Sequence, residues 1–159
     1  MSWSAPSAQE RLAILRSTRT VAMVGASANP SRASNFVATY LLAESDFEVW
    51  FVNPRETEIL GRPVFPSLAD LPGPPDLVDV FRRPADLAQV ADEAVAAGAS
   101  ALWLQLGLRD EAVAGQADAA GLDVVMDRCL KIEHARFRGG LHLAGFDTGI
   151  LSSRRTRPV

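Results

Sequence analysis

The chain has a single cysteine, Cys129, which rules out an intramolecular disulfide and points to a reducing, cytoplasmic setting. It has a single lysine, Lys131, so its positive charge is almost all arginine. That residue stays charged and grips phosphate with two parallel donors. No apolar run approaches the roughly 20 residues needed to span a bilayer. The opening MSWSAPSAQERLAIL lacks a basic stretch followed by an apolar one, so it does not read as a signal peptide. Paired cysteines, His-x-x-His and carboxylate clusters at metal-ligand spacing are missing. So are a G-x-x-x-x-G-K-[ST] loop and a G-x-S-x-G elbow, and no internal repeat is visible. A formal net charge of −3 gives no field that would draw the protein to nucleic acid or membrane.

What is present is the make-up of one globular domain. Of 159 residues, 48% are hydrophobic and 22% charged, enough to bury a core without staples. Five short apolar runs read as strands: Thr20–Val24, Glu48–Val52, Leu77–Phe81, Ala101–Leu104 and Asp123–Met126. They are apolar at nearly every position, which predicts burial on both faces and a parallel sheet. Between them lie helix-period stretches at Ser34–Glu44, Ser67–Leu71, Ala85–Ala97 and Asp110–Ala119, and Gly98 and Gly121 sit where left-handed residues close helices. The alternation predicts an α/β, doubly wound Rossmann-like domain with a five-stranded parallel sheet in the order 3-2-1-4-5 and helices on both faces. An outer helix is expected over Ala8–Ser17, a core over 20–137, and a Gly-rich, basic tail over 138–159. The Pro-rich link Gly61–Pro75 reads as an extended piece, one helical turn and a loop.

Ligands of open α/β sheets sit beyond the carboxyl ends of the strands. The first such loop is Gly25-Ala26-Ser27-Ala28-Asn29-Pro30-Ser31-Arg32. Its glycine permits a tight turn, and the following helix start attracts phosphate. It lacks the full G-x-G-x-x-G spacing, with Ser27 where a dinucleotide fold has its second glycine. The second strand ends in Val52-Asn53-Pro54-Arg55, with no carboxylate before Glu56. An NAD site has an acid here for the ribose hydroxyls. Arg55 instead suits a ribose phosphate, that of NADP or of 3′-phosphorylated coenzyme A. Further strand ends offer Phe81-Arg82-Arg83 and Gln105-Leu106-Gly107. Arg82 and Arg83 either face phosphate or stand exposed before a helix. Gln105 either bonds an adenine edge or pantetheine amide, or caps a local turn.

Six ordered blocks then carry a resemblance: VAMVGASANPSR, FVNPR, ILGRPVFPSLADLP, VDVFRRP, LWLQLG and VVMDRCLKIEH. Together, from about Thr20 to Phe137, the chain resembles the small stand-alone CoA-binding proteins of the YccU type. That family is similar to the N-terminal CoA-binding domain of the succinyl-CoA synthetase α-subunit. The resemblance implies coenzyme A as the ligand, with Gly25, Ala26, Ser27 and Arg32 near the nucleotide phosphates. It implies Val52, Asn53, Pro54 and Arg55 beside the adenosine and its ribose phosphate. Phe81 and Arg82 would flank the ligand, and Gln105, Leu106 and Gly107 would line the pantetheine side. Ala33 departs from the proline that many relatives carry after the arginine.

The synthetase reaction needs a phosphorylated histidine and an ATP-binding partner. The two histidines here, His134 and His142, stand alone and read as structural. Glu133 and His134 are adjacent on a helix and point apart, so they form no acid–base pair. The expectation is a non-catalytic module that binds CoA or acyl-CoA, with a homodimer or an unknown protein partner permitted. Two alternatives stay open: an NADP-dependent oxidoreductase on the same fold, and a redox protein exchanging thiols with CoA through Cys129. That cysteine reads either as a thiol activated by Arg128 or as a small buried residue, with Asp127 capping the helix behind it.

Overall fold

The computed structural model describes residues 3–138. The expectations for 139–159, His142 among them, lie outside the described residues. Five α-helices are present: α1 (Ala8–Ser17), α2 (Ala33–Glu44), α3 (Leu87–Ala96), α4 (Glu111–Ala119) and α5 (Leu130–Arg138). The strands are β1 (Thr20–Val24), β2 (Glu48–Val52), β3 (Glu58–Ile59), β4 (Arg62–Phe65), β5 (Leu77–Val80), β6 (Ala101–Leu104) and β7 (Asp123–Val125). They form one seven-stranded sheet in the order β3-β4-β2-β1-β5-β6-β7. Every pairing is parallel except the short β3–β4 hairpin.

The expected five-stranded sheet and its order are corrected here. The segment expected as third strand, now β5, does not lie outside β2. It pairs with β1 on the opposite flank, from Val21 against Leu77 to Val24 against Val80. The place beside β2 is taken by β4, with Phe51 against Val64 and Val52 against Phe65. Counted along the chain, the six parallel strands run 3-2-1-4-5-6, which is the Rossmann order. The rule was sound and the third strand was misidentified. β4 hid inside the Pro-rich link because it lies near the sheet edge, half-exposed, where proline is tolerated and the apolar signature of a buried strand is not needed.

Strand alternation divides the core between the two faces. Ala22 and Val24 of β1 pack with Val78, Leu102 and Leu104 beneath α3 and α4. Val21 and Met23 point the other way and pack with Phe51, Leu77 and Trp103 beneath α1, α2 and α5. Burial of both faces is why these strands carry no polar alternation. The exception is Asp79, fully buried in β5 between Met23 and Trp103.

Local signals place the helix ends. Ser7 and Glu10 form a reciprocal capping box at the start of α1. Asp110 Oδ1 accepts the Val113 N–H at 3.1 Å at the start of α4. Asp127 does not cap α5, against expectation. It adopts φ 60° and its Oδ1 accepts the Gly107 N–H at 2.7 Å. The first amide of α5, from Leu130, instead donates to Gln105 Oε1 at 3.0 Å. A buried ion pair, Arg11 Nε to Glu133 Oε1 at 2.6 Å, then ties α1 to α5.

Candidate functional site

The strand order reverses at β1, whose neighbours β2 and β5 carry the chain to opposite flanks. A crevice opens at the carboxyl ends of such a pair. Gly25 forms its floor. It adopts φ +85°, and a Cβ there would stand 2.2 Å from the Phe81 carbonyl oxygen and 2.9 Å from Cδ of Arg82. No other residue allows β1 and β5 to end this close together. The resulting cleft has a volume of about 610 Å³.

One wall is the loop into α2. Ser27 Oγ accepts the Asn29 N–H, Asn29 Oδ1 accepts from both N–H and Oγ of Ser31, and Ser34 Oγ accepts the Ser27 N–H. This chain of short-range bonds shapes the loop. Helix α2 starts with no side-chain cap, and although the Asn35 N–H donates to the Arg32 carbonyl at 3.0 Å, the amides ahead of it have no intrahelical acceptor. Ala33 and Ser34, which carry two of them, line the cleft beside Arg32.

The second wall follows β2 and holds Asn53, Pro54 and Arg55. Asn53 is spent on architecture: its Nδ2 donates to the Ala26 carbonyl at 2.8 Å, and its Oδ1 accepts the Arg55 N–H at 2.8 Å. Glu56 adds a second strap, its Oε2 accepting the Ala28 N–H at 2.9 Å. The third wall follows β5 and holds Phe81, Arg82, Arg83 and Asp86. Arg82 Nη2 and Arg83 Nε both donate to Asp86 Oδ2 at 3.3 Å. The two guanidinium groups, Arg83 foremost, hold the Asp86 carboxyl below its ordinary range. Among the described residues, Arg32 and Arg55 form no salt bridge. Four arginines and one carboxylate therefore meet around one helix N-terminus, a setting that favours anions.

A smaller recess of about 220 Å³ adjoins the cleft and shares Pro54, Arg82 and Asp86 with it. Its walls are mixed: Val24, Val52, Pro66, Leu68 and Val90 supply apolar surface, and Ser67, Gln89 and Glu93 supply polar surface. A third depression of about 620 Å³ lies beside β7, but Glu10, Asp118 and Asp123 line it and no arginine does, so it does not suit an anion.

Of the residues expected from sequence, Gly25, Ser27, Arg32, Asn53, Pro54, Arg55, Phe81 and Arg82 converge on the cleft. Val52 is buried and reaches the recess instead. Ala26 is buried in the core. Gln105, Leu106 and Gly107 line neither cavity: Gln105 is buried beneath α5, while Leu106 is 63% exposed at the rim. The reading missed Ala33, Ser34 and Asp86. Asp86 was detectable in principle, since an acid three or four residues after an Arg-Arg pair at a helix start is placed to bond both.

Cys129 is half-buried just before α5, its carbonyl accepting the Glu133 N–H at 3.0 Å. Glu133 and His134 do point apart. Glu133 faces Arg11, whereas His134 Nδ1 shares a 2.8 Å hydrogen bond with Tyr40 Oη and packs edge-on against Tyr40 and Phe47. Burial, then the nearby Arg138 charge, lower the His134 pKa, while Asp46 acts against them. No described helix is long and apolar enough to cross a membrane.

The chain is 37% identical over 130 residues to the uncharacterized protein YneT of Bacillus subtilis (strain 168), covering 82% of this chain and 96% of that one. The structure of the cell-free ID.343 protein from Thermus thermophilus superposes with a TM-score of 0.77 at 38% identity, over 82% of this chain and 98% of that one. At fold level alone, a dinucleotide-forming acetyl-coenzyme A synthetase from Ca. Korarchaeum cryptofilum matches with a TM-score of 0.65 at 22% identity, over 72% of this chain and 28% of that one. Residues 19–135 match the profile of a family described as CoA binding domain, and the chain belongs to that family.

Proposed function

We propose that the protein binds coenzyme A or an acyl-CoA at the carboxyl edge of its sheet and performs no chemistry on it. The observation that carries this reading is the pairing of an arginine-rich cleft at the start of α2 with a smaller recess beside it that is partly walled by Val24, Val52, Pro54 and Leu68. In this reading the cleft takes the phosphates, through the α2 amides, Ser27 and Arg32. The recess takes the adenine ring against Val52 and Pro54, and Arg55 takes the ribose phosphate. The pantetheine arm leaves past Phe81 toward Gln105, Leu106 and Gly107. The absence of an acid directly after β2 favours this ligand over NAD.

The test is thermal or chemical denaturation with CoA, dephospho-CoA and NADPH in parallel. CoA at a hundredfold excess over its Kd should stabilise the fold by about 2.7 kcal/mol. Dephospho-CoA should give a smaller shift, and Arg55→Ala should remove the difference between them. Equal shifts from both ligands would take the ribose phosphate away from Arg55. NADPH binding more tightly than CoA would replace this reading with the oxidoreductase one.

A second reading rests on Cys129, the single thiol of the chain, half-buried just before α5. In it, the Cys129 thiolate attacks CoA disulfide, forms a protein–CoA mixed disulfide and releases one CoA thiolate. Intact mass after treatment with CoA disulfide decides this: no CoA adduct at Cys129 removes it.

A further inference from the structure

Asp86 is out of place in an anion cleft. Its carboxylate lines both the cleft and the recess, and an isolated negative charge there would repel phosphate. It is not isolated. One oxygen, Oδ2, accepts from Arg82 Nη2 and from Arg83 Nε, each at 3.3 Å. Arg82 is constrained from its other end too, because its Cδ lies only 2.9 Å from where a Cβ on Gly25 would stand. Its aliphatic stem therefore lies against bare backbone at residue 25, while Asp86 anchors its head.

From these contacts we propose that Asp86 is a positioning residue, which holds Arg82 as the charged wall between the phosphate cleft and the smaller recess. A free arginine carries several rotatable bonds, whose freedom is lost when it grips a ligand. Anchoring Arg82 in advance removes that loss, and Arg83 shares the carboxylate so that the trio keeps one net positive charge. The consequence for ligand choice is that the site selects molecules with phosphate on one side of this wall and a flat base on the other. This inference rests on the CoA-binding reading for its ligand, and on the free protein for its geometry.

The two accounts of Asp86 predict opposite signs. If it were only a negative charge near the ligand, removing it would tighten CoA binding. As an anchor, Asp86→Ala should weaken CoA binding by on the order of fivefold, measured by calorimetry at fixed salt. In an Arg82→Gln background the same substitution should change affinity by less than about twofold, because the group it positions is gone. Tighter binding in Asp86→Ala, or equal weakening in both backgrounds, overturns the proposal. A wild-type protein that binds no CoA refutes the CoA reading and not the anchor. The anchor is then decided in the free protein by NMR relaxation of the Arg82 side-chain Nε–H. Its order should fall in Asp86→Ala while the backbone amide spectrum stays folded; unchanged order overturns the anchor independently of any ligand.

Discussion

Asp79 offers the sharpest quantitative prediction. It lies on β5 in the middle of the sheet, is fully inaccessible to solvent, and among the described residues neither carboxylate oxygen has a hydrogen-bond partner. Burial pushes its pKa well above the ordinary carboxylate range, so the proton stays on in the folded state where it is lost from the unfolded one. Above about pH 3.9, the ordinary aspartate value, the unfolded chain ionises at this position and the folded chain does not. The folded state then binds more protons, so stability falls as pH rises, by up to about 1.4 kcal/mol per pH unit from this group. The fall ends where the folded Asp79 itself ionises. Asp79→Asn removes the titration, so its stability should drop less with pH than that of the wild type. Asp79→Leu also removes the unsatisfied polar group and should stabilise the protein at pH 7 by about 1–3 kcal/mol. For a chain of this length that is a rise in Tm of about 2–4 °C per kcal/mol. The assay is urea unfolding of the three proteins at half-unit steps from pH 4.5 to 8. Parallel stability curves for wild type and Asp79→Asn would refute the claim that a buried neutral acid resides there.

Three further outcomes are expected. Gly25→Ala places a Cβ 2.2 Å from the Phe81 carbonyl oxygen at a left-handed backbone position; it should destabilise by more than about 1 kcal/mol and abolish the CoA-induced melting shift, read by calorimetry. Glu133→Ala leaves Arg11 buried with only the Pro6 carbonyl and should cost about 3–5 kcal/mol, whereas Arg11→Met should cost less because Arg136 and Arg128 still face Glu133 at 3.2 and 3.5 Å; urea midpoints rank the two. Gln105→Leu strips the acceptor from the buried Leu130 amide and should cost about 1–3 kcal/mol, with slowed-exchange protection of the α5 amides falling in hydrogen-exchange measurements.

Strand positions, helix positions and the arginines at the strand ends were legible in the chain because each rests on local chemistry. A strand buried on both faces is apolar at nearly every residue, many helix ends carry a cap or a left-handed residue, and a glycine turn before a helix suits a phosphate. Thr20–Val24, Ala8–Ser17 and Gly25 therefore announced themselves. What the chain could not announce was pairing across long separations. The half-exposed β4 carries no buried-strand signature, so its claim on the place beside β2 emerged only when the sheet was assembled. The side-chain duties of Asn53, Gln105 and Asp127 depend on partners 27, 25 and 20 residues away in sequence. The tertiary structure gave two residues expected at the ligand, Asn53 and Gln105, a further duty as braces for a loop and a helix. Of the residues expected there, Gly25, Ser27, Arg32, Asn53, Pro54, Arg55, Phe81 and Arg82 line one cleft, with Asp86 among them. A sequence shows which groups are able to bind an anion; only packing decides which of them already have a partner.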